Sequence, residues 1–226
     1  MNREGNTYTI IYASVMVVFV ALLLAFTSES LRDLQKKNEA NDKRRQILRS
    51  VNVSVSGAET EIKYNELIKE TFLVNEKGQK VGGDAFAVDA AKMFAENTYP
   101  VFVASVNGQT KYVLAMYGTG LWGPVWGYVA MNDDGNTVFG ADFSHQGETP
   151  GLGAEIATHA FSSQFSGKQL FKNGRFSGVA IVKPGKSVQG QDYVDGISGG
   201  TITSVGVDRM LRQSIERYVE FLKTMN

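Results

Sequence analysis

The sequence contains no cysteine, two histidines (His145 and His159) and four prolines among 226 residues. Without cysteine the chain forms no disulfide, carries no thiolate nucleophile, and ligates neither a zinc-thiolate site nor an iron–sulfur cluster. Two histidines do not make a His-rich metal site. An excess of either charge is lacking too: 23 Lys+Arg balance 23 Asp+Glu, for a formal net charge of +0. Nucleic-acid binders usually carry a basic surplus, so that class is disfavoured. Apolar material is not scarce. With 43% hydrophobic and 11% aromatic residues the chain can bury a core, which excludes global disorder. The length suits one domain with additions, or at most two small domains.

The neutral total hides two different materials. Residues 1–56 hold eight Lys/Arg against five Asp/Glu, leaving 15 basic and 18 acidic residues beyond. Of the 24 glycines, 23 lie from Gly57 onward, and every proline lies from Pro100 onward.

No charge occurs from Asn6 to Ser28, and the inner run Ile10 to Phe26 is broken only by Tyr12 and Ser14. About 20 such residues at ~1.5 Å rise cross the ~30 Å hydrocarbon core, so residues 8–28 are expected to form a transmembrane helix after a short tail, 1–7. Tyr8 and Tyr12 suit the headgroup level. A cleaved signal peptide is the alternative; the run exceeds the usual length, and Ala25-Phe26-Thr27 is a poor cleavage site. Residues 29–56 read as a polar helical neck, starting anew at Ser30 with Asp33 three residues on. Its basic cluster Lys43-Arg44-Arg45 either faces solvent or touches lipid headgroups. Seven basic residues on this side would, by the positive-inside rule, hold the large domain in the cytoplasm.

Residues 57–226 read as one α+β domain, an antiparallel sheet with flanking helices. Tyr64, Leu67, Ile68, Phe72 and Leu73 fall at helical spacing, and Ala87 to Phe94 suggests a second short helix. Tyr99 to Val106 and Thr110 to Tyr117 are strand-like around Asn107-Gly108, a strong hairpin signal. Val125 to Met131 and Thr137 to Phe143 form another pair. Gly153 to Phe165 is helix-like, Phe176 to Lys183 a strand, and Val205 to Lys223 a long amphipathic helix.

Three glycine-rich segments stand out. Gly118 to Gly127 sets both tryptophans beside four glycines, as a tight bend or as a surface for a flat ligand. His145 to Glu155 is a polar loop running into a helix; His145 and Glu148 lack a third group for acid–base work. Asp195 to Ser204 precedes the long helix, where free amides and the helix dipole favour a phosphate. It is not a Walker A loop, because no Gly-Lys-Ser/Thr follows. A plain glycine-rich cap fits it as well.

Ser198-Gly199-Gly200-Thr201-Ile202-Thr203-Ser204 resembles the Ser/Thr-Gly-Ala-Thr-x-Ser/Thr motif on which FMN is covalently attached, with Gly200 in place of the usual Ala. Gly120-Leu121-Trp122-Gly123, Glu148-Thr149-Pro150-Gly151-Leu152-Gly153 and the N-terminal single-pass anchor extend the match over nearly the whole chain. Together they resemble the C-subunit family of the sodium-translocating NADH:quinone oxidoreductase. The Glu-Thr-Pro-Gly-Leu-Gly and Ser-Gly-Gly-Thr segments are shared with the G subunit of the related Rnf complex; Gly-Leu-Trp-Gly favours the C-subunit family. A membrane-tethered binding module without cofactor is the alternative of another class.

The resemblance implies a covalent FMN, joined by a phosphoester to Thr201, in an electron-transfer subunit of a respiratory sodium pump. No residue is expected to act as acid, base or nucleophile in turnover. Cofactor contacts are expected from Ser198, Gly199, Gly200, Thr203, Gly120, Leu121, Trp122, Glu148, Thr149, Gly151 and Leu152; of these Leu121, Trp122 and Thr149 would meet the isoalloxazine. The implied partners are the A, B, D, E and F subunits of the complex and a flavin transferase that uses FAD. Electrons would arrive from NADH through neighbouring cofactors and leave towards the FMN of the B subunit and quinone. The resemblance also implies a bacterial inner-membrane protein with its FMN domain in the periplasm, opposite to the charge rule.

Overall fold

The computed structural model describes residues 6–225; the predicted tail 1–7 therefore lies mostly outside the described residues. The chain divides into two compact units, Met1–Lys43 and Arg44–Asn226.

The first unit belongs to α1 (Asn6–Ser50), the one helix among the described residues long and apolar enough to cross a membrane. Its apolar side chains from Ile10 to Phe26 are mostly exposed, as a lipid-facing surface requires. No new helix starts at Ser30. With no glycine or proline to interrupt it, the helix runs on, and the Thr27 and Ser30 hydroxyls donate back to the Leu23 and Phe26 carbonyls at 2.8 Å.

The end of α1, from Arg44, folds with the second unit. Ile47 and Leu48 are fully buried, and Trp126 Nε1–H donates to Gln46 Oε1 at 2.9 Å. The helix stops at Asn52, whose φ of 61° is left-handed, while the Val53 amide bonds Leu48 O at 3.0 Å. That is a helix-terminating loop with Asn in the position glycine usually takes.

The second unit continues with α2 (Glu59–Leu67), β1 (Ile68–Val74), β2 (Lys80–Val81), α3 (Met93–Glu96), β3 (Tyr99–Val106), β4 (Gln109–Thr119), β5 (Pro124–Asn132) and β6 (Val138–His145). These six strands make one antiparallel sheet in the order β2-β1-β3-β4-β5-β6. After β6 come a 3-10 turn (Gly153–Ala157), α4 (His159–Ser162) and a second 3-10 turn (Ser163–Phe165). A small hairpin follows, β7 (Phe171–Lys172) with β8 (Arg175–Phe176), then a parallel pair, β9 (Val179–Val182) with β10 (Asp192–Asp195). Helices α5 (Thr201–Glu216) and α6 (Val219–Lys223) end the chain.

The α+β architecture is as expected, with local differences. The helical spacing from Tyr64 to Leu73 spans a junction: α2 ends at Leu67, and Ile68, Phe72 and Leu73 lie in β1. Strand β1 pairs with β2 and β3, and this tertiary pairing overrides the local period. The helix expected over Ala87–Phe94 shrinks to α3, because Asp84 and Asp89 accept amides of Phe86 and Ala91 at 2.9 and 3.0 Å. Such local bonds compete with helix. The expected strand Phe176–Lys183 is split at Gly178, φ 71°. The last helix starts four residues earlier than expected, at Thr201, and breaks after Glu216. There Tyr218 is fully buried, with its hydroxyl 3.0 Å from Pro100 O and 3.3 Å from Ala115 O.

Helix α5 packs along β4 with its apolar face, Val207, Met210, Leu211 and Ile215, buried. Its N-terminal end lies very close to the strand. A Cβ on Gly118 would stand 2.6 Å from Met210 Cβ, and one on Gly206 would stand 2.5 Å from Thr119 O. Further along, Ser214 Oγ accepts the Tyr117 amide at 3.2 Å. Two glycines therefore allow the start of α5 to sit against the end of β4.

Candidate functional site

The three glycine-rich segments meet at that place. The first is the β4–β5 turn, closed by the Gly120 amide on Gly123 O at 2.8 Å. Its tip raises two apolar side chains into solvent: Leu121 is 47% and Trp122 67% exposed. The second tryptophan, Trp126, faces Gln46 and the end of α1 instead.

The second segment follows β6. Thr149 and Gly151 are exposed, as is Leu152, and Gly151 turns the loop at φ 73°. Thr149 O accepts the Leu152 and Ala154 amides, each at 3.1 Å. Glu148 points the other way and is buried, with 4% exposure. Its Oε1 accepts the Trp122 amide at 2.9 Å, and its Oε2 accepts the Thr203 hydroxyl at 2.5 Å. Burial alone would raise its pKa; the Thr203 hydroxyl, then the Trp122 and Leu121 amides, outweigh it and hold the pKa below the usual value. The Glu148 amide donates to His145 Nδ1 at 3.1 Å, so His145 braces the loop.

The third segment is the turn into α5. Gly199 has φ 77°, and the Gly200 amide bonds Ile197 O at 3.0 Å. A Cβ on Gly199 would stand 2.7 Å from Leu152 Cδ2, so this turn abuts the second loop. Ser198 and Gly199 are exposed, while Gly200 is buried beside the Gly153 amide. Thr201 is the first residue of α5 and is exposed, whereas Thr203 is buried. The amides of the first turn have no carbonyl of their own helix to bond. Beside Thr201 opens a cleft of 270 Å³, lined by Ile181, Lys183, Ile197, Ser198, Gly199 and Val205 among others.

Among the described residues from Arg44 onward, six large apolar side chains are exposed: Ile62, Leu121, Trp122, Leu152, Ile202 and Val205. Five of the six belong to the three converging segments or follow directly on them. An exposed apolar group of this kind usually marks a binding surface.

All twelve residues singled out in the sequence thus lie in one neighbourhood. Two of them, Glu148 and Thr203, turn inward and bond each other. The sequence reading missed Gly153, Lys183, Ile202, Val205 and Gly206. Gly153 and Ile202 stand inside the quoted motifs, whereas Gly206 and Lys183 had no signal, since only the packing of α5 gives them a place.

The FMN-binding domain family matches residues 120–216, from the Leu121–Trp122 turn to the end of α5. The C subunit of the Na(+)-translocating NADH-quinone reductase from Vibrio anguillarum is 30% identical over 227 residues, covering 91% of this chain and 89% of that one. The chain belongs to the C-subunit family of the Na(+)-translocating NADH-quinone reductase. Its relative in Vibrio vulnificus is 32% identical over 209 residues, covering 83% of this chain and 82% of that one. Among solved structures, the C subunit from Parabacteroides distasonis is 66% identical with a TM-score of 0.85, over 87% of this chain and 98% of that chain. NqrC from Shewanella oneidensis superposes with a TM-score of 0.70 at 27% identity, over 84% and 98% of the two chains. The chain is thus one part of an oxidoreductase complex, and its fold is that of the family's FMN-binding domain.

Proposed function

We propose that this C subunit carries one FMN, esterified through its phosphate to Thr201, and relays electrons through it within the sodium-pumping complex. The carrying observation is the position of Thr201. It stands exposed as the first residue of α5, amid five of the six exposed large apolar side chains of the folded unit.

The residues present fit the group. In attachment, Thr201 Oγ bonds to the flavin-side phosphorus of FAD, the pyrophosphate P–O bond breaks, AMP leaves, and the hydroxyl proton passes to a base on the transferase. The resulting phosphodiester keeps about one negative charge, which the free amides at the start of α5 stabilise. Gly199 and Gly200 let the turn hug it, with Ser198 as a further donor. Leu121, Trp122 and Leu152 would cover the ring and exclude water, while Thr149, Gly151 and Gly120 would shape the adjoining wall. FMN, once bound, supplies the redox chemistry; the chain supplies position, packing and hydrogen bonds. Covalent attachment removes the dissociation equilibrium, which suits a carrier away from the cytoplasmic flavin pool.

In this reading residues 8–28 span the bacterial inner membrane once, the expected neck 29–56 has its last part, from Arg44, packed on the folded unit, and that unit with 57–226 is the FMN domain in the periplasm. The A, B, D, E and F subunits and the flavin transferase are the partners. Denaturing gels of the full chain, co-expressed with the transferase, test the attachment: a fluorescent wild-type band and a dark Thr201→Ala band are expected. A dark wild type, or a bright variant, overturns it. Protease added to spheroplasts tests the topology: loss of 57–226 is expected, and protection would favour the charge rule instead.

A further inference from the structure

We infer that Glu148 and Thr203 form a positioning pair, whose hydrogen bond fixes the first turn of α5 against the β4–β5 turn and thereby sets where the Thr201 hydroxyl stands for flavin attachment. This rests on the reading that Thr201 is the attachment residue, and it gives two residues of the motifs a role other than touching the cofactor.

Neither side chain is available to a ligand. Glu148 is 4% and Thr203 1% exposed. Both carboxylate oxygens are engaged inside the protein, Oε1 by the Trp122 amide at 2.9 Å and Oε2 by the Thr203 hydroxyl at 2.5 Å. One carboxylate therefore ties together all three glycine-rich segments. Two glycines make room for it: a Cβ on Gly120 would stand 2.4 Å from Oε1, and one on Gly153 would stand 2.4 Å from both Oε2 and Thr203 Oγ1.

Helix geometry carries this restraint to Thr201. At about 3.6 residues per turn, residues two apart point roughly 200° from each other. Holding Thr203 inward on Glu148 thus holds Thr201 outward. The carboxylate is ionised near neutral pH, which makes the bond charge-assisted and stiffer than a neutral one. Attack of a hydroxyl on a phosphorus held by a second enzyme depends steeply on placement; an error of about 1 Å costs on the order of 10²-fold in rate.

The test uses the full-length chain in detergent with purified transferase and FAD, following the initial rate of covalent flavin incorporation by in-gel fluorescence. Thr203→Ser keeps the hydroxyl and should label near the wild-type rate. Thr203→Val keeps the shape without the hydroxyl and should label about tenfold more slowly or worse. Glu148→Gln, which leaves one acceptor oxygen for two donors, should slow labelling similarly. The double variant should be no slower than the slower single, because the two act through one bond. Wild-type rates for Thr203→Val and Glu148→Gln, or equal slowing in Thr203→Ser and Thr203→Val, would overturn the pair. If Glu148→Gln fails to fold, as circular dichroism would reveal, the Thr203 pair of variants decides alone. A dark wild type, or a bright Thr201→Ala, would instead overturn the attachment reading, so the two failures are distinct.

Discussion

Arg49 holds Asp142 through two parallel bonds, Nε to Oδ1 at 2.8 Å and Nη2 to Oδ2 at 2.9 Å. The pair joins the last turn of α1 to β6. Asp142 is nearly buried, whereas the Arg49 side chain is 44% exposed. Burial pushes the Asp142 pKa up, and the Arg49 bonds only partly draw it back. A raised carboxyl pKa contributes stability at low pH that is lost as pH rises through the folded value. Removing Arg49 raises that pKa further. Arg49→Ala should therefore destabilise the fold at pH 7 by about 1–2 kcal/mol, less than for a fully buried pair because the guanidinium is partly solvated. The deficit should shrink as pH falls through the Asp142 titration. Thermal unfolding of both proteins across pH checks this; a pH-independent deficit would contradict it.

Glu148 has the opposite sign. Its pKa is depressed, because the Thr203 hydroxyl and the Trp122 and Leu121 amides outweigh burial. The stability it brings is fully present above the usual glutamate range and is lost as pH falls through the depressed folded value. Wild type should lose stability in that acidic window, and Glu148→Gln should lack this step. Parallel unfolding curves for the two proteins below pH ~4.5 would contradict the clamp's electrostatics.

Gly120 and Gly153 are small because the Glu148 carboxylate stands where a side chain would begin. Gly120→Ala and Gly153→Ala should each cost roughly 1–3 kcal/mol by overpacking. Gly147→Ala is the control: the nearest atom, Trp122 O, lies 3.9 Å from the added Cβ, so its effect should stay within about 0.5 kcal/mol. Denaturant midpoints of the three variants separate crowding at Glu148 from a general intolerance of alanine in these loops.

Trp122 is 67% exposed and packs on little of its own chain. Trp122→Ala should leave unfolding within about 0.5 kcal/mol of wild type in the flavin-free protein. In the flavin-loaded protein it should change the visible absorbance and the flavin emission, because the ring loses its cover. An unchanged flavin spectrum would remove Trp122 from the site.

Local chemistry was the legible part of this fold. Asn107-Gly108 marked the β3–β4 hairpin, and both residues adopt positive φ there, 51° and 78°. The three glycine-rich segments were legible as a group because each needs backbone freedom for its own turn. Contacts between distant residues were not. Glu148 looks like any loop carboxylate until Thr203, 55 residues later, is folded onto it. Gly206 reads as a weak point in a helix until Thr119 O is found against it. The start of β1 was misread because Ile68, Phe72 and Leu73 fit a helical face as well as a strand, and only pairing with β3 decides between them. β9 lies within the expected strand Phe176–Lys183, but β10 and its parallel pairing with β9 had no signal, since the four residues Asp192–Asp195 carry too little pattern alone.

The most direct measurement is peptide mass spectrometry of the full-length chain purified from cells that also make the flavin transferase. The peptide containing Thr201 should be heavier by one FMN less one water, with fragment ions assigning the addition to Thr201, and the addition should vanish in Thr201→Ala. An unmodified Thr201 peptide, or flavin found on another residue, would contradict Thr201 at the start of α5 as the point of attachment.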